Sequence, residues 1–213
     1  MPHTVAALLR AVATQLADAG VPDPLVDTEL LLGHVLGRSR GEVQAAAVRG
    51  DAVGDAEAAR LQELAQRRAA REPLQHLTGV AAFRHLELAV GPGVFVPRPE
   101  TETVVQFAID ALIASAEGAP VAVDLGTGSG AIAMAMATEV PHAQVFAVER
   151  SPEAHAWAAR NTASAENLTL VLGDLASAFD ELRGTVAVVI SNPPYVPDDA
   201  IPRDPEVRLH DPA

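Results

Sequence analysis

The sequence predicts an α/β fold in which helices and a short hairpin precede a parallel sheet. Three observations lead to this prediction. Apolar residues recur at helical spacing through about the first seventy residues. Residues 80–96 carry apolar side chains and a glycine-proline turn signal, as a hairpin would. From residue 120 onward, short β-rich runs alternate with helical segments, which is typical of βαβ units in a parallel sheet.

Composition narrows the class of protein. Hydrophobic residues make up 49% of the 213 residues and charged residues 20%, which indicates a globular rather than a disordered chain. The absence of cysteine excludes disulfides and cysteine-bound zinc, and the scattered histidines predict no metal site. A net charge of −13 disfavours nucleic acid as a partner. Arg10, Gln15 and Asp18 interrupt any signal-peptide pattern, and we expect a cytoplasmic protein without a membrane partner.

The N-terminal elements are predicted to be helices. Glycines at positions 20, 37 and 50 stand where helices would end, and residues 55–71 are rich in good helix formers. We therefore expect a helical domain over residues 1–75. The apolar residues that carry its first two periodic segments are Val5, Leu8, Leu9, Val12, Leu16, Leu30, Leu31, Val35 and Leu36.

A hairpin linker is predicted over residues 76–98. Its apolar positions lead into Gly91-Pro92-Gly93, which we interpret as its turn. A helix should then cover roughly residues 100–115, because Pro99 suits a first helical position and acidic residues favour a first turn. The third predicted domain spans residues 99–213.

Polar residues follow each predicted strand of the alternating region, in "VAVDLGTGSG", "AQVFAVE", "LTLVLGD" and "VAVVISNPP". Ligands of such sheets bind beyond the carboxyl ends of the strands. In the first stretch, Gly126, Gly128 and Gly130 would let a ligand approach the backbone, and the following helix would present N–H groups to an anionic part of it. The spacing is one residue short of the dinucleotide fingerprint, and a plain βα turn would also explain it.

Acidic residues end the next two strands. Glu149 could accept hydrogen bonds from both hydroxyls of a ribose, or simply lie beside a helix N-cap. Asp174 could meet an adenine amino group, or cap a turn. Together with the glycine loop, the pattern resembles the class I S-adenosylmethionine-dependent methyltransferases, whose domain is Rossmann-like. That resemblance implies a cofactor site formed by Gly126, Thr127, Gly128, Ser129, Gly130, Glu149, Asp174, Leu175 and Asn192.

The motif "SNPPY" resembles that of amino-methyltransferases acting on amide or exocyclic base nitrogens. Such a nitrogen is a weak nucleophile, and two acceptors that hold its hydrogens would direct its lone pair toward a methyl group. Asn192 offers a side-chain oxygen, and Pro193 or Pro194 a carbonyl whose direction the rings restrict. Tyr195 could stack on the planar group. A strand terminator with a packed tyrosine is the alternative.

The substrate is indicated by "VFVPRPETE" together with "PLQHLTG". In combination with the two preceding motifs, these stretches resemble the HemK/PrmC family, the protein-(glutamine-N5) methyltransferases of peptide chain release factors. The resemblance implies methylation of the glutamine in a Gly-Gly-Gln loop, held by residues 192–195, with the helical domain docking the factor. Arg98, Glu100 and Glu102 would shape the entrance of the cofactor pocket, and for the two glutamates a structural capping role is the alternative.

Two departures from the family are visible. Leu175 stands where an aromatic residue often follows the strand-three acid. The chain also ends before the family's sheet would be complete, so we expect a C-terminally partial domain whose fourth strand has an exposed edge. A DNA adenine-N6 methyltransferase, or a truncated module that binds cofactor or factor without turnover, are the alternative functions.

Overall fold

The computed structural model describes residues 3–193 and Glu206. The roles predicted for Pro194 and Tyr195 therefore concern residues outside those described. The chain divides into two compact units, one running to Thr78 and including Glu206, the other beginning at Gly79. No helix in the described part of the chain is both long and apolar enough to cross a lipid bilayer.

The first unit is helical, as the sequence predicts. It also contains two short strands, which pair antiparallel. Gly37 and Gly50 end their helices in the left-handed conformation, with φ of 61° and 74°. The helices pack around a core of aliphatic side chains in which Leu16, Leu31 and Leu61 are fully buried. Its elements are β1 (His3–Thr4), α1 (Val5–Asp18), α2 (Pro24–Leu36), α3 (Arg40–Arg49), β2 (Ala52–Val53), α4 (Asp55–Ala69) and α5 (Leu74–Thr78).

The helical unit contains a buried cluster of ion pairs around Arg68. Arg68 is only 4% exposed, and its Nε donates to Oδ2 of Asp27 at 2.7 Å. Its Nη2 donates to Oε1 of Glu206 at 2.8 Å, and Nη2 of Arg71 donates to the same oxygen at 2.9 Å. A guanidinium removed from water needs such partners, since an unpaired buried charge is strongly destabilising.

The second unit contains the predicted parallel sheet with its helices. The sheet order is β7-β6-β5-β8, and every neighbouring pair is parallel. Among the described strands β8 forms one edge of the sheet, as expected. The elements are β3 (Val80–Phe83), β4 (Leu86–Ala89), α6 (Pro99–Ala114), β5 (Val121–Leu125), α7 (Ala131–Glu139), β6 (Gln144–Glu149), α8 (Pro152–Thr162), β7 (Leu168–Leu172), a 3-10 turn (Asp180–Leu182) and β8 (Val186–Ser191).

The hairpin is present, but its predicted turn is wrong. Strands β3 and β4 pair from Phe83 opposite Leu86, so that Arg84 and His85 form the turn. Arg84 adopts a left-handed conformation with φ of 54°, which usually favours glycine or asparagine. Its backbone N–H donates to Oε1 of Glu102 at 3.0 Å, and its Nη2 donates to Oε2 of Glu139 at 2.7 Å. These distant partners hold a conformation that local sequence does not indicate.

Gly91-Pro92-Gly93 instead follows β4 and lets the chain pass close to α8. A Cβ on Gly91 would lie 2.5 Å from Cζ2 of Trp157, and the Trp157 indole donates to the carbonyl of Pro92 at 3.2 Å. Trp157 therefore has a packing role, and the segment after β4 is packed against α8 through this contact.

We predict that Arg68→Met destabilises the helical unit by about 3–5 kcal/mol, because it leaves the Asp27 carboxylate buried without its partner. Urea unfolding followed by circular dichroism measures the change. The matched control is Arg60→Met, which removes an exposed pair with Glu63 and should cost about 0–1 kcal/mol. Equal losses in the two variants would contradict the buried role of Arg68.

Candidate active site

The candidate site lies where the strand order of the sheet reverses. From β5 the chain proceeds to β6 and β7 on one side, whereas β8 pairs with β5 on the other side. Leu125 and Ser191 are register partners at the carboxyl ends of β5 and β8. The Ser191 hydroxyl donates to the Leu125 carbonyl at 2.7 Å. Gly126 and Asn192 therefore leave the sheet side by side, at the crevice where open α/β sheets bind ligands.

The glycine loop after β5 needs its glycines for two different reasons. Gly126, Gly128 and Gly130 all have positive φ, of 75°, 57° and 82°. A Cβ on Gly126 or Gly128 would meet nothing within 4 Å, so space for a ligand lies beside them. A Cβ on Gly130 would lie 3.1 Å from Cγ2 of Thr162, so this glycine serves packing against α8.

Most N–H groups of the glycine loop already donate hydrogen bonds to acceptors within the protein. The N–H groups of Gly126 and Thr127 both donate to the Val148 carbonyl, at 2.9 and 3.0 Å, and that of Gly130 donates to the Thr127 carbonyl. The Gly128 N–H donates to Glu149. The loop therefore offers a ligand open space rather than a cluster of donors, which does not suit a pyrophosphate.

Glu149 links the loop to the start of α8. Its Oε2 accepts from the Gly128 N–H and its Oε1 from the Ser151 N–H, each at 2.8 Å. An ionised carboxylate has about four acceptor positions, so each oxygen keeps one for a further donor. Two remaining acceptors fit the two hydroxyls of a ribose, and Glu149 is partly exposed to reach them.

Two predicted loop residues are turned into the protein. Thr127 is 6% exposed, and its hydroxyl donates to Oδ2 of Asp124 at 2.6 Å. Ser129 is 3% exposed, and its carbonyl accepts from the Asn161 side chain at 2.8 Å. The Thr127 hydroxyl thus shapes the loop, and the burial of both residues leaves little of either one exposed to a ligand.

Asp124 is fully buried directly beneath the loop. Burial raises the pKa of Asp124 to about 7, opposed by hydrogen bonding from Thr127 and from the Ala133 N–H and assisted by the charge of Glu149. Its Oδ1 accepts no hydrogen bond of normal geometry from the described residues. Asp124 is not among the residues predicted from sequence, although a lone acid in an otherwise apolar strand is a usable signal.

The third strand end is more exposed than the first two. Asp174 accepts from the Ala176 N–H at 2.9 Å through Oδ1, so it caps its own turn, the alternative that its sequence context allows. Its other carboxylate oxygen can still receive a donor. Leu175 is 49% exposed and presents an apolar surface next to it.

The Asn-Pro motif reaches the site at the end of β8. Asn192 and Pro193 are exposed, and the Asn192 Nδ2 donates to Oγ1 of Thr101 at 3.3 Å. Asn192 therefore does not point into the interior. In the "PRPETE" segment, Glu102 accepts from the Arg84 N–H of the hairpin turn, a structural contact other than the expected helix cap. The Arg98 guanidinium lies 5.0 Å from the centroid of the Phe95 ring.

The described residues of this site fit S-adenosylmethionine better than a nucleoside diphosphate or a metal ion. Open space lies beside two glycines, and a carboxylate with free acceptors stands at the next strand end. Within residues 3–193 and Glu206, no group of three or more acidic, histidine or cysteine side chains could hold a metal ion. Thr101 and Asn161, which contact the site residues from distant segments, are not predicted from sequence.

Comparison with known proteins gives two domain matches. The family model described as the PrmC N-terminal domain matches residues 7–79, and the methyltransferase small domain matches residues 86–204. A release factor glutamine methyltransferase of Streptomyces coelicolor is 53% identical over 95% of this chain and 70% of its own length. The protein of the same name from Bifidobacterium longum is 44% identical over 96% of this chain and 74% of its own.

We predict that Glu149→Gln weakens binding of S-adenosylmethionine by about 10- to 100-fold, because a charged acceptor is lost and an amide donor now faces a backbone N–H. Isothermal titration calorimetry measures the dissociation constant. Glu166→Gln, an exposed acid on the same unit, is the matched control and should change affinity by less than about twofold. Unchanged affinity in Glu149→Gln would exclude its contact with the cofactor.

We also predict that the contribution of Asp124 to stability falls as pH rises from about 4 to about 7, since the folded state keeps a proton on Asp124 where the unfolded state, with the ordinary pKa of 3.8, has lost it. Asp124→Asn should flatten this part of the profile, whereas Asp110→Asn at an exposed position should leave it unchanged. Urea unfolding at a series of pH values measures the slope. An equally steep fall in Asp124→Asn would show that other groups cause it.

Proposed function

Since this chain belongs to the family of release factor glutamine methyltransferases, we propose that it transfers a methyl group from S-adenosylmethionine to the glutamine side-chain nitrogen in the Gly-Gly-Gln loop of peptide chain release factors. The observation that carries this proposal is the position of Asn192 beside the glycine loop, at the reversal point of the sheet. The substrate is a translation factor, so we expect the reaction in the cytoplasm.

Glutamine is a difficult acceptor because the lone pair of its nitrogen is delocalised into the carbonyl. The bound cofactor supplies a methyl group on a positively charged sulfur, which is reactive enough for such a nitrogen. The task of the protein is then to hold the carboxamide with its nitrogen facing that methyl group. Correct positioning of two reactants contributes up to about 7–11 kcal/mol to lowering a barrier.

Asn192 and Pro193 are suited to this positioning. The Asn192 oxygen accepts one N–H of the substrate amide, and the Pro193 carbonyl accepts the other. With both hydrogens held, the lone pair of the nitrogen is directed toward the methyl group. As the new N–C bond forms, the C–S bond breaks, and the extra proton on nitrogen leaves afterwards to solvent. Neither residue has to act as a base before the attack.

The cofactor is expected to lie across the ends of β5 and β6. Gly126 and Gly128 leave room for its methionyl part, and Glu149 accepts from its ribose. Asp174 has one oxygen free for the adenine amino group, with Leu175 against the ring. The helical unit matches the PrmC N-terminal domain, and we assign it the docking of the release factor.

We predict that Asn192→Ala lowers methyl transfer by about 100-fold or more, because a preorganised hydrogen-bonding group of the reacting atoms is lost. Transfer of labelled methyl from S-adenosylmethionine to a purified release factor measures the rate. Cofactor affinity, measured by calorimetry, should stay within about threefold of wild type if Asn192 acts mainly on the substrate. Activity near the wild-type rate would remove Asn192 from the mechanism.

The identity of the methyl acceptor is tested with two further substrates, a release factor without the loop glutamine and duplex DNA. Replacing the loop glutamine of the release factor by alanine should abolish labelling. Duplex DNA should remain unlabelled, because a net charge of −13 disfavours its binding. Label in DNA would favour the adenine methyltransferase alternative, and cofactor binding without transfer to any substrate would favour a module without turnover.

A further inference from the structure

The carboxamide of Asn192 has a protein partner of its own. Its Nδ2 donates to Oγ1 of Thr101 at 3.3 Å, across 91 positions of sequence. Thr101 is half-buried in the first turn of α6, whereas Asn192 is exposed at the end of β8. The contact therefore joins a side chain of the reaction site to the first turn of α6.

Both ends of this contact are held by ordered elements. The backbone before Asn192 is fixed by the bond from the Ser191 hydroxyl to the Leu125 carbonyl at 2.7 Å. The first turn of α6 is fixed by Arg84, which donates from its backbone to the Glu102 carboxylate and from Nη1 to the Glu102 carbonyl at 3.3 Å. Side chains supported in this way hold a geometry more closely than side chains on free loops.

In the orientation that the structure shows, the carboxamide nitrogen faces Thr101 and the oxygen is left for the substrate. Oxygen and nitrogen lie on opposite sides of the amide carbon, so a nitrogen bound to Thr101 leaves the oxygen directed away from it. The reverse orientation would present an NH2 group to the NH2 group of glutamine. Two donors cannot satisfy each other, so only the first orientation is productive.

We propose that Thr101 is a positioning residue for the reaction, whose hydroxyl holds the Asn192 carboxamide with its oxygen toward the acceptor nitrogen. This inference rests on the proposed function. Thr101 acts through Asn192 and is not required to touch substrate or cofactor. Without the hydroxyl, the carboxamide loses the hydrogen bond that restricts its rotation, and the productive fraction falls.

The kinetic test compares three variants. Thr101→Val keeps the shape of the side chain and removes the hydrogen bond, and we expect kcat to fall by roughly 3- to 10-fold, with little change in KM for S-adenosylmethionine. Thr101→Ser keeps the hydroxyl and should restore most of the rate. The matched control is Thr103→Val on the exposed side of the same helix, which should have wild-type kcat.

A second readout does not depend on activity. The chain contains three asparagines, so 15N-asparagine labelling yields three side-chain NH2 signals. Those of Asn161 and Asn167, which donate to backbone carbonyls, serve as internal references. In Thr101→Val the Asn192 signals, assigned with Asn192→Asp, should shift toward the position of a free amide and exchange faster with water, while the reference signals stay in place.

The outcomes separate this inference from the function it rests on. A wild-type protein that labels no release factor contradicts the proposed function, whereas the amide spectrum still tests the Thr101 contact. Wild-type kcat in Thr101→Val, or unchanged Asn192 signals, overturns the positioning role. Equal losses in Thr101→Ser and Thr101→Val also overturn it, because they would indicate packing rather than a hydrogen bond. Shifted reference signals would indicate that the variant disturbs the fold, and they too would count against a local role.

Discussion

The pairing of β8 with β5, on the side opposite β6, is the constraint on which the site depends. It places the chain after β8 next to the chain after β5, although 66 positions separate Ser191 from Leu125. A parallel sheet requires such long connections, and their helices cover the faces and leave the strand ends open. If β8 paired elsewhere, the Asn-Pro motif and the glycine loop would not share a crevice. The chemistry thus depends first on strand order and then on side chains.

Much of this arrangement can be predicted from sequence because it follows from repeating patterns. Helical spacing, strand alternation and the residues at strand ends indicate the helical unit, the sheet and the placement of Glu149 and Asn192. The hairpin turn could not be predicted, since Arg84 adopts a left-handed conformation that Glu102 and Glu139 stabilise from distant segments. No local pattern carries information about such partners.

The same limit applies to the details of the site. The sequence indicates Thr127 as a cofactor contact, but the direction of its hydroxyl follows from burial against Asp124, which only packing decides. Thr101 stands between two glutamates in a helix start and resembles any exposed helical threonine in sequence. Its importance arises only when α6 and β8 are brought together, which requires the tertiary structure.

The loop that receives the cofactor is held in shape by the protein's own acids. Asp124 binds the Thr127 hydroxyl from below, while Glu149 binds the Gly128 N–H from the side. An apolar residue in place of Asp124 would avoid burying a carboxyl group, but it would leave the Thr127 hydroxyl buried without a partner. Keeping Asp124 therefore costs stability near neutral pH and orders the loop before any ligand arrives. A loop already ordered loses less entropy on binding, so more of the interaction energy remains as affinity.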